Sequence, residues 1–243
     1  MRQMGPMDRD VDIWIANVEA IALPRVLPLD EGEERRAERF VNPAHGHRFR
    51  VAHWMRRMVL GKLLGLAPEA ISYVEVARGK PSLAVGQAGQ TEGGTAPAPV
   101  TFSASDSGRW VALAVTCGAD IGLDIEVGES VPEIRALADR VLHPGELALF
   151  RAVDDRDEER DLFYRFWTRK EAIAKACGLG LALDFRALEV EAGTEGGSVI
   201  SLPAELRGAG DWTIRDVSRR PQFYGSVAVR GPIGRVTIRE WAP

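Results

Sequence analysis

Hydrophobic and polar positions change period several times along the 243-residue chain. "DIWIANVEAIAL" (12–23) alternates with period two and predicts a strand, since successive side chains of extended backbone face opposite ways. "LDEGEERRAERF" (29–40) predicts a charged helix that Asp30 can cap. A longer helix is expected from His47 to Leu66, then a strand near "ISYVEVA". The Gly-, Ala-, Pro- and Gln-rich stretch 84–100 reads as a loop. "VTFSAS" and "RWVALAVT" predict strands around a turn at Ser107-Gly108, and "IGLDIEV" (121–127) a third. In the second half Pro144, with Glu146 in its first turn, opens a helix. "DDRDEER" (154–160) reads as a solvated helix start or loop, and another helix runs from about Asp161 through "FWTRKEAIAKACGLGL". Strands are expected at "RALEVEA", "WTIRDV", "YGSVAVR" and "RVTIREW".

Shifting the chain by 113 residues lays "WMRRMVLGKLLGL" over "WTRKEAIAKACGL". Trp54/Trp167, Arg56/Arg169, Lys62/Lys175, Gly65/Gly178 and Leu66/Leu179 coincide, and a similar strand follows each helix. A chance match of two amphipathic helices is the bland alternative. Two related halves explain it more economically: an α+β fold of similar subdomains, 1–117 and 118–243, related by a pseudo-two-fold. Each would be a long helix on a small antiparallel sheet. Where the first copy has Met58 the second has Glu171, a change from packing helix to ligand helix.

Composition narrows the chemistry. A hydrophobic content of 45% supports a real core, and a net charge of −4 gives no basic field for nucleic acid. The apolar runs are too mixed for a bilayer span, and the first residues lack the apolar centre of a signal peptide. Two cysteines without CxxC argue against a disulfide framework or a zinc site. HExxH, GxSxG and GxxxxGK[ST] do not occur, so a cytoplasmic protein working through carboxylates and basic residues is expected.

On strand 121–127, Ile121, Leu123, Ile125 and Val127 share one face, and Gly122, Asp124 and Glu126 the other. The two carboxylates stand roughly 6.5–7 Å apart along the strand and repel unless solvated, protonated or bridged by a cation. Gly122 leaves room for something to approach closely. Taken alone, this reads first as the exposed polar face of an ordinary amphipathic strand. Glu171 and Lys175, an i,i+4 pair, likewise make an ordinary surface pair. Together, three carboxylates and an ammonium suit a hard divalent cation and a phosphate.

"GLDIE", followed some forty residues later by "FWTRKEAIAKACGLGL", resembles the signature pair of the 4′-phosphopantetheinyl transferases, and the length resembles their larger, pseudo-dimeric Sfp type. "GKPSL" (79–83) and "FSASDSGRW" (102–110) extend the likeness. The resemblance implies transfer of the phosphopantetheine arm of coenzyme A to a carrier-protein serine, with release of adenosine 3′,5′-bisphosphate. It implies Asp124, Glu126 and Glu171 as ligands of Mg²⁺ (or Mn²⁺). Lys175 would contact a phosphate, and Glu171, or a water it orients, would be the base. Arg36, Arg48 and Lys80 would grip coenzyme A phosphates, and Ser105 and Asp106 would lie along the nucleotide. The partners implied are coenzyme A and a fatty-acid, polyketide or peptide carrier domain, with the chain a monomer. "HWMRRMVLGK" offers arginines for docking that carrier, or a packed helix with a basic edge.

The pattern breaks at Asp106, where the family usually has histidine, at Phe49, where a small hydroxyl residue is common, and at Glu33, where a basic one can sit. Asp106 would turn aside and leave the phosphate to Arg109, Arg78 or Arg48, or donor preference would change, or the chain would be a repurposed CoA-binding relative. A Mg²⁺-dependent hydrolase of a CoA or nucleotide pyrophosphate needs the same carboxylates.

Overall fold

A computed structural model describes residues 9–75, 80–87, 98–128, 134–194, 196–206 and 210–243. The end of the "ISYVEVA" strand, loop residues 88–97 and Arg78 lie outside these. The strands are β1 (Arg9–Asn17), β2 (Tyr73–Glu75), β3 (Pro81–Leu83), β4 (Val100–Ser107), β5 (Trp110–Cys117), β6 (Ile121–Glu126), β7 (Glu189–Val190), β8 (Gly196–Ser201), β9 (Trp212–Asp216), β10 (Tyr224–Arg230) and β11 (Ile233–Glu240). The helices are α1 (Glu31–Glu38), α2 (Pro43–Leu64), α3 (Ile134–Val141), α4 (Pro144–Arg151) and α5 (Arg156–Cys177).

The strands form a four-stranded sheet, β11-β1-β5-β4, a five-stranded sheet, β6-β10-β9-β8-β7, and the β2–β3 pair. Helix α2 covers the first large sheet, packing Val51, Trp54, Met55 and Leu60 with Phe102, Val111 and Leu113. Helix α5 covers the second, joining Phe166 and Ile173 to Trp212, Ile214 and Ala228. The inner faces of the two sheets meet through Val11, Ile13, Ala112 and Ala114 on one side and Ile121, Leu123, Ile125, Val227 and Val229 on the other. The fold is therefore α+β, layered helix, sheet, sheet, helix. Strand β11, late in the chain, runs parallel to β1 inside the first sheet.

Element starts differ from expectation where caps lie upstream of the apolar period. Helix α2 begins at Pro43 because Asn42 caps it, and α5 begins at Arg156 because Asp155 accepts from the amides of Asp157 and Glu158. Strand β8, which opens on Gly196-Gly197, and the short helix α3 are elements that the sequence pattern does not mark.

The offset of 113 recurs at structural boundaries. It carries α1 onto α4 and α2 onto α5 at both ends, and left-handed Gly65 onto left-handed Gly178. It also carries the Asp30–Glu33 capping box onto that of His143 and Glu146. Each capping glutamate takes a buried cation of the long helix, Arg57 on Glu33 at 2.7 Å and Lys170 on Glu146 at 2.5 Å. Glu33 also meets His53 and Arg56. Burial opposes its ionisation, yet hydrogen bonds from His53, the Asp30 amide and Arg57 hold its carboxyl down at about 2. Glu33 is thus turned into a structural network, and Arg56 and Arg57 are buried rather than offered for docking.

Candidate active site

The polar residues of "WTRKEAIAK" separate by face, because neighbours on a helix point about 100° apart. The Thr168 hydroxyl bonds that of Ser226 at 2.8 Å. Arg169, fully buried, clasps Asp216 and donates to the Glu191 and Gly193 carbonyls. Lys170 points into the core, donating to the carbonyls of Val141 and Phe185 beside Glu146. Glu171 and Lys175 share a different face, toward β6.

Helix α5 reaches β6 because residue 122 is glycine. A Cβ there would lie 1.8 Å from the Ala172 carbonyl oxygen and 2.5 Å from the Ala176 nitrogen. The room expected beside the carboxylates is therefore filled by helix backbone. Gly122→Ala is expected to cost about 1–3 kcal/mol by levering α5 away, measured by urea unfolding; wild-type stability would contradict the contact.

Asp124 is buried, and its Oδ1 accepts from Lys175 Nζ at 2.7 Å and Ser105 Oγ at 3.1 Å. Its Oδ2 is buried without a hydrogen-bond partner among the described residues. Burial raises its pKa, against the attraction of Lys175. Glu126 Oε2 accepts from Ser107 Oγ at 2.8 Å. Burial and then the Asp124 charge raise its pKa, while Ser107 and Trp167 oppose the rise. Glu171 is pushed up to about 7, by burial first and then by the charges of Asp124 and Glu126, with Lys175 acting the other way. Among the described residues none donates a hydrogen bond to it. The three carboxylates thus feel one another.

These groups suit a hard divalent cation in charge and oxygen chemistry, and the orphaned Asp124 Oδ2 is the clearest sign of a missing partner. They do not form a cage: among the described residues no three His, Cys, Asp or Glu side chains are arranged to hold a metal ion unaided. Mg²⁺ commonly takes one or two carboxylates and completes its shell with water and substrate phosphate, so an incomplete protein shell is compatible with it.

Arg48 Nε pairs with Asp106 at 2.8 Å and its Nη1 donates to the Gly108 carbonyl, tying α2 to the β4–β5 turn beside Ser105 and Ser107. Asp106 is therefore countered by a cation on its own side. Lys80 Nζ donates to the carbonyls of Ile121 and Ala176, and burial lowers its pKa. It lines a cavity of about 260 Å³ with Phe102, Ala174 and Lys175. Arg36 stays exposed on α1, its guanidinium 5.5 Å from the Phe49 ring, which itself stacks on His53. The structure thus joins Arg48, Ser105, Asp106, Asp124, Glu126, Glu171 and Lys175 in one neighbourhood, with Lys80 at its edge and Arg36 apart. Sequence reasoning passed over Ser107, although its period-two spacing from Ser105 matches that of Glu126 from Asp124.

The family model of the 4′-phosphopantetheinyl transferase superfamily matches residues 120–221, which include Asp124, Glu126, Glu171 and Lys175. The chain is 30% identical over 203 residues to the 4′-phosphopantetheinyl transferase HetI of Nostoc sp., covering 84% of this chain and 79% of that protein. It belongs to that superfamily. A 4′-phosphopantetheinyl transferase of Bacillus subtilis is 30% identical over 188 residues, 72% of this chain and 77% of its own. The transferase AcpT of Salmonella typhimurium is 35% identical over 130 residues, 53% of this chain and 60% of its own. This phosphopantetheinyl transferase has, among its described residues, no helix long and apolar enough to cross a membrane.

Proposed function

We propose that this transferase moves the phosphopantetheine arm of coenzyme A onto a carrier-protein serine at the face shared by β6 and α5, with Mg²⁺ held by Asp124, Glu126 and Glu171 together with the donor's diphosphate. The observation that carries the reading is Glu171, a partly buried carboxylate with no hydrogen-bond donor among the described residues and a pKa raised to about 7 by burial and then by its acidic neighbours. A serine hydroxyl is a weak nucleophile and needs such a base. Glu171, directly or through one water, takes the proton as the serine oxygen bonds to the pantetheine-side phosphorus. The phosphoanhydride bond breaks, and its oxygen leaves with adenosine 3′,5′-bisphosphate. When bound, the cation masks diphosphate charge. Lys175, already 2.7 Å from Asp124, holds that carboxylate in place and presents an ammonium toward the donor phosphates. Arg48 and Lys80 lie where they can take the remaining phosphate charge, and Arg36 only where the nucleotide end reaches α1.

The same reading assigns the chain two related halves with β11 exchanged between them. One chain then provides both walls of the cleft and works as a monomer.

Isotopically labelled coenzyme A, incubated with Mg²⁺ and an apo carrier domain, tests the proposal. Label on the carrier supports it. Label released as free phosphopantetheine makes the chain a hydrolase, and label retained unchanged in coenzyme A makes it a binding protein.

A further inference from the structure

We propose that Ser103, Ser105 and Ser107 form a hydroxyl ladder joining the two sheets, in which Ser105 and Ser107 are positioning residues for Asp124 and Glu126. Among the described residues β4 is hydrogen-bonded to β5 alone and β6 to β10 alone, so no backbone ladder there joins β4 to β6. The other edge of β6 points its amides at the first sheet, where an unpaired buried N–H is costly. Leu123 N donates to Ser103 Oγ at 3.0 Å, Ile125 N to Ser105 Oγ at 3.2 Å and Val127 N to Ser107 Oγ at 3.0 Å. Alternate residues on both strands repeat at about the same 6.5–7 Å spacing, which lets three hydroxyls meet three amides in register.

Two of the three do a second job. The Ser105 hydroxyl donates to Asp124 Oδ1, and that of Ser107 to Glu126 Oε2. A hydroxyl has one proton and two lone pairs. Ser105 gives its proton to Asp124 and accepts from Ile125 N and Lys175 Nζ, so its capacity is spent. It acts by orienting the carboxylate and the lysine rather than by donating to the nucleotide. Ser103 bonds the amide of Leu123 and, among the described residues, bonds no carboxylate, which makes it an internal control.

The inference rests on Asp124 and Glu126 holding the cation. Ser103→Ala strands the Leu123 amide of β6 and Ser107→Ala the Val127 amide just past its end, so both are expected to lower the unfolding temperature. Only Ser107→Ala releases a carboxylate. It is expected to weaken Mg²⁺ binding, titrated calorimetrically with coenzyme A present, and to lower kcat, each by about 10–100-fold. KM for the carrier should not move. Ser103→Ala should keep both Mg²⁺ affinity and kcat. Wild-type Mg²⁺ affinity and kcat in Ser107→Ala overturn the ladder's positioning role, as do equal losses in the two variants. If Ser107→Ala does not fold, Ser107→Cys, similar in shape with a weak donor, must show the same selective loss. A wild-type protein that takes up no Mg²⁺ retires the metal assignment instead. The ladder is then decided by kcat, upheld by a loss confined to position 107 and overturned by equal kcat.

Discussion

Glu171→Gln is expected to lower kcat for transfer by about 10²–10⁴-fold, the span that a positioned general base supplies. The amide keeps the shape of the side chain and removes its basicity. Burial, then Asp124 and Glu126, hold the native carboxyl near 7, close to the pH at which it must work. Only the ionised form can accept the serine proton, so on this limb wild-type activity at low Mg²⁺ rises with pH up to about 7 and then levels. A bound cation favours the ionised form and moves the limb to lower pH. The variant should show neither limb nor shift. Stability has the opposite sign: the raised pKa means the folded state binds the proton more tightly than the unfolded one. In the metal-free protein this group's contribution therefore falls as pH rises from about 4.5 through about 7, and Glu171→Gln removes that slope. A steady-state pH profile and thermal melts across pH check both, and wild-type kcat in the variant would contradict the base assignment.

Lys170→Met is expected to destabilise the fold by about 3–5 kcal/mol, because it leaves Glu146 buried without its cation. Lys170 is fully buried, and its ammonium sits 2.5 Å from Glu146 while satisfying the Val141 and Phe185 carbonyls. Urea unfolding measures the loss. The double variant Lys170→Met, Glu146→Leu should recover much of it, since a buried pair replaced together by apolar groups is close to neutral. A single-variant loss below about 1 kcal/mol, the value of an exposed pair, would contradict the structural role.

Much of the fold was legible because period and punctuation agreed. Asp30, Pro144 and Ser107-Gly108 mark boundaries by local chemistry, and strand "IGLDIEV" shows by alternation which side chains share a face. The 113-residue offset was visible in five identities, yet its reach into the capping boxes required coordinates. Asp30 and His143 differ in kind, as do Arg57 and Lys170, so identity alone does not align them. In the site, the residue types were legible but their orientations were not. Lys170 and Glu171 are neighbours in sequence and face apart in space, one toward the core and one toward the carboxylates. Asp106 reads as a charge that would repel phosphate until Arg48, far along the chain, is seen beside it. Gly122 reads as room for a ligand, whereas the space belongs to α5.

The most direct measurement is the intact mass of an apo carrier domain after incubation with coenzyme A, Mg²⁺ and either the wild-type protein or Glu126→Ala. The account predicts that the wild type adds one phosphopantetheine arm to the carrier serine and that the variant, still folded, adds none. An unchanged carrier mass with the wild type, or equal conversion by the variant, would contradict it.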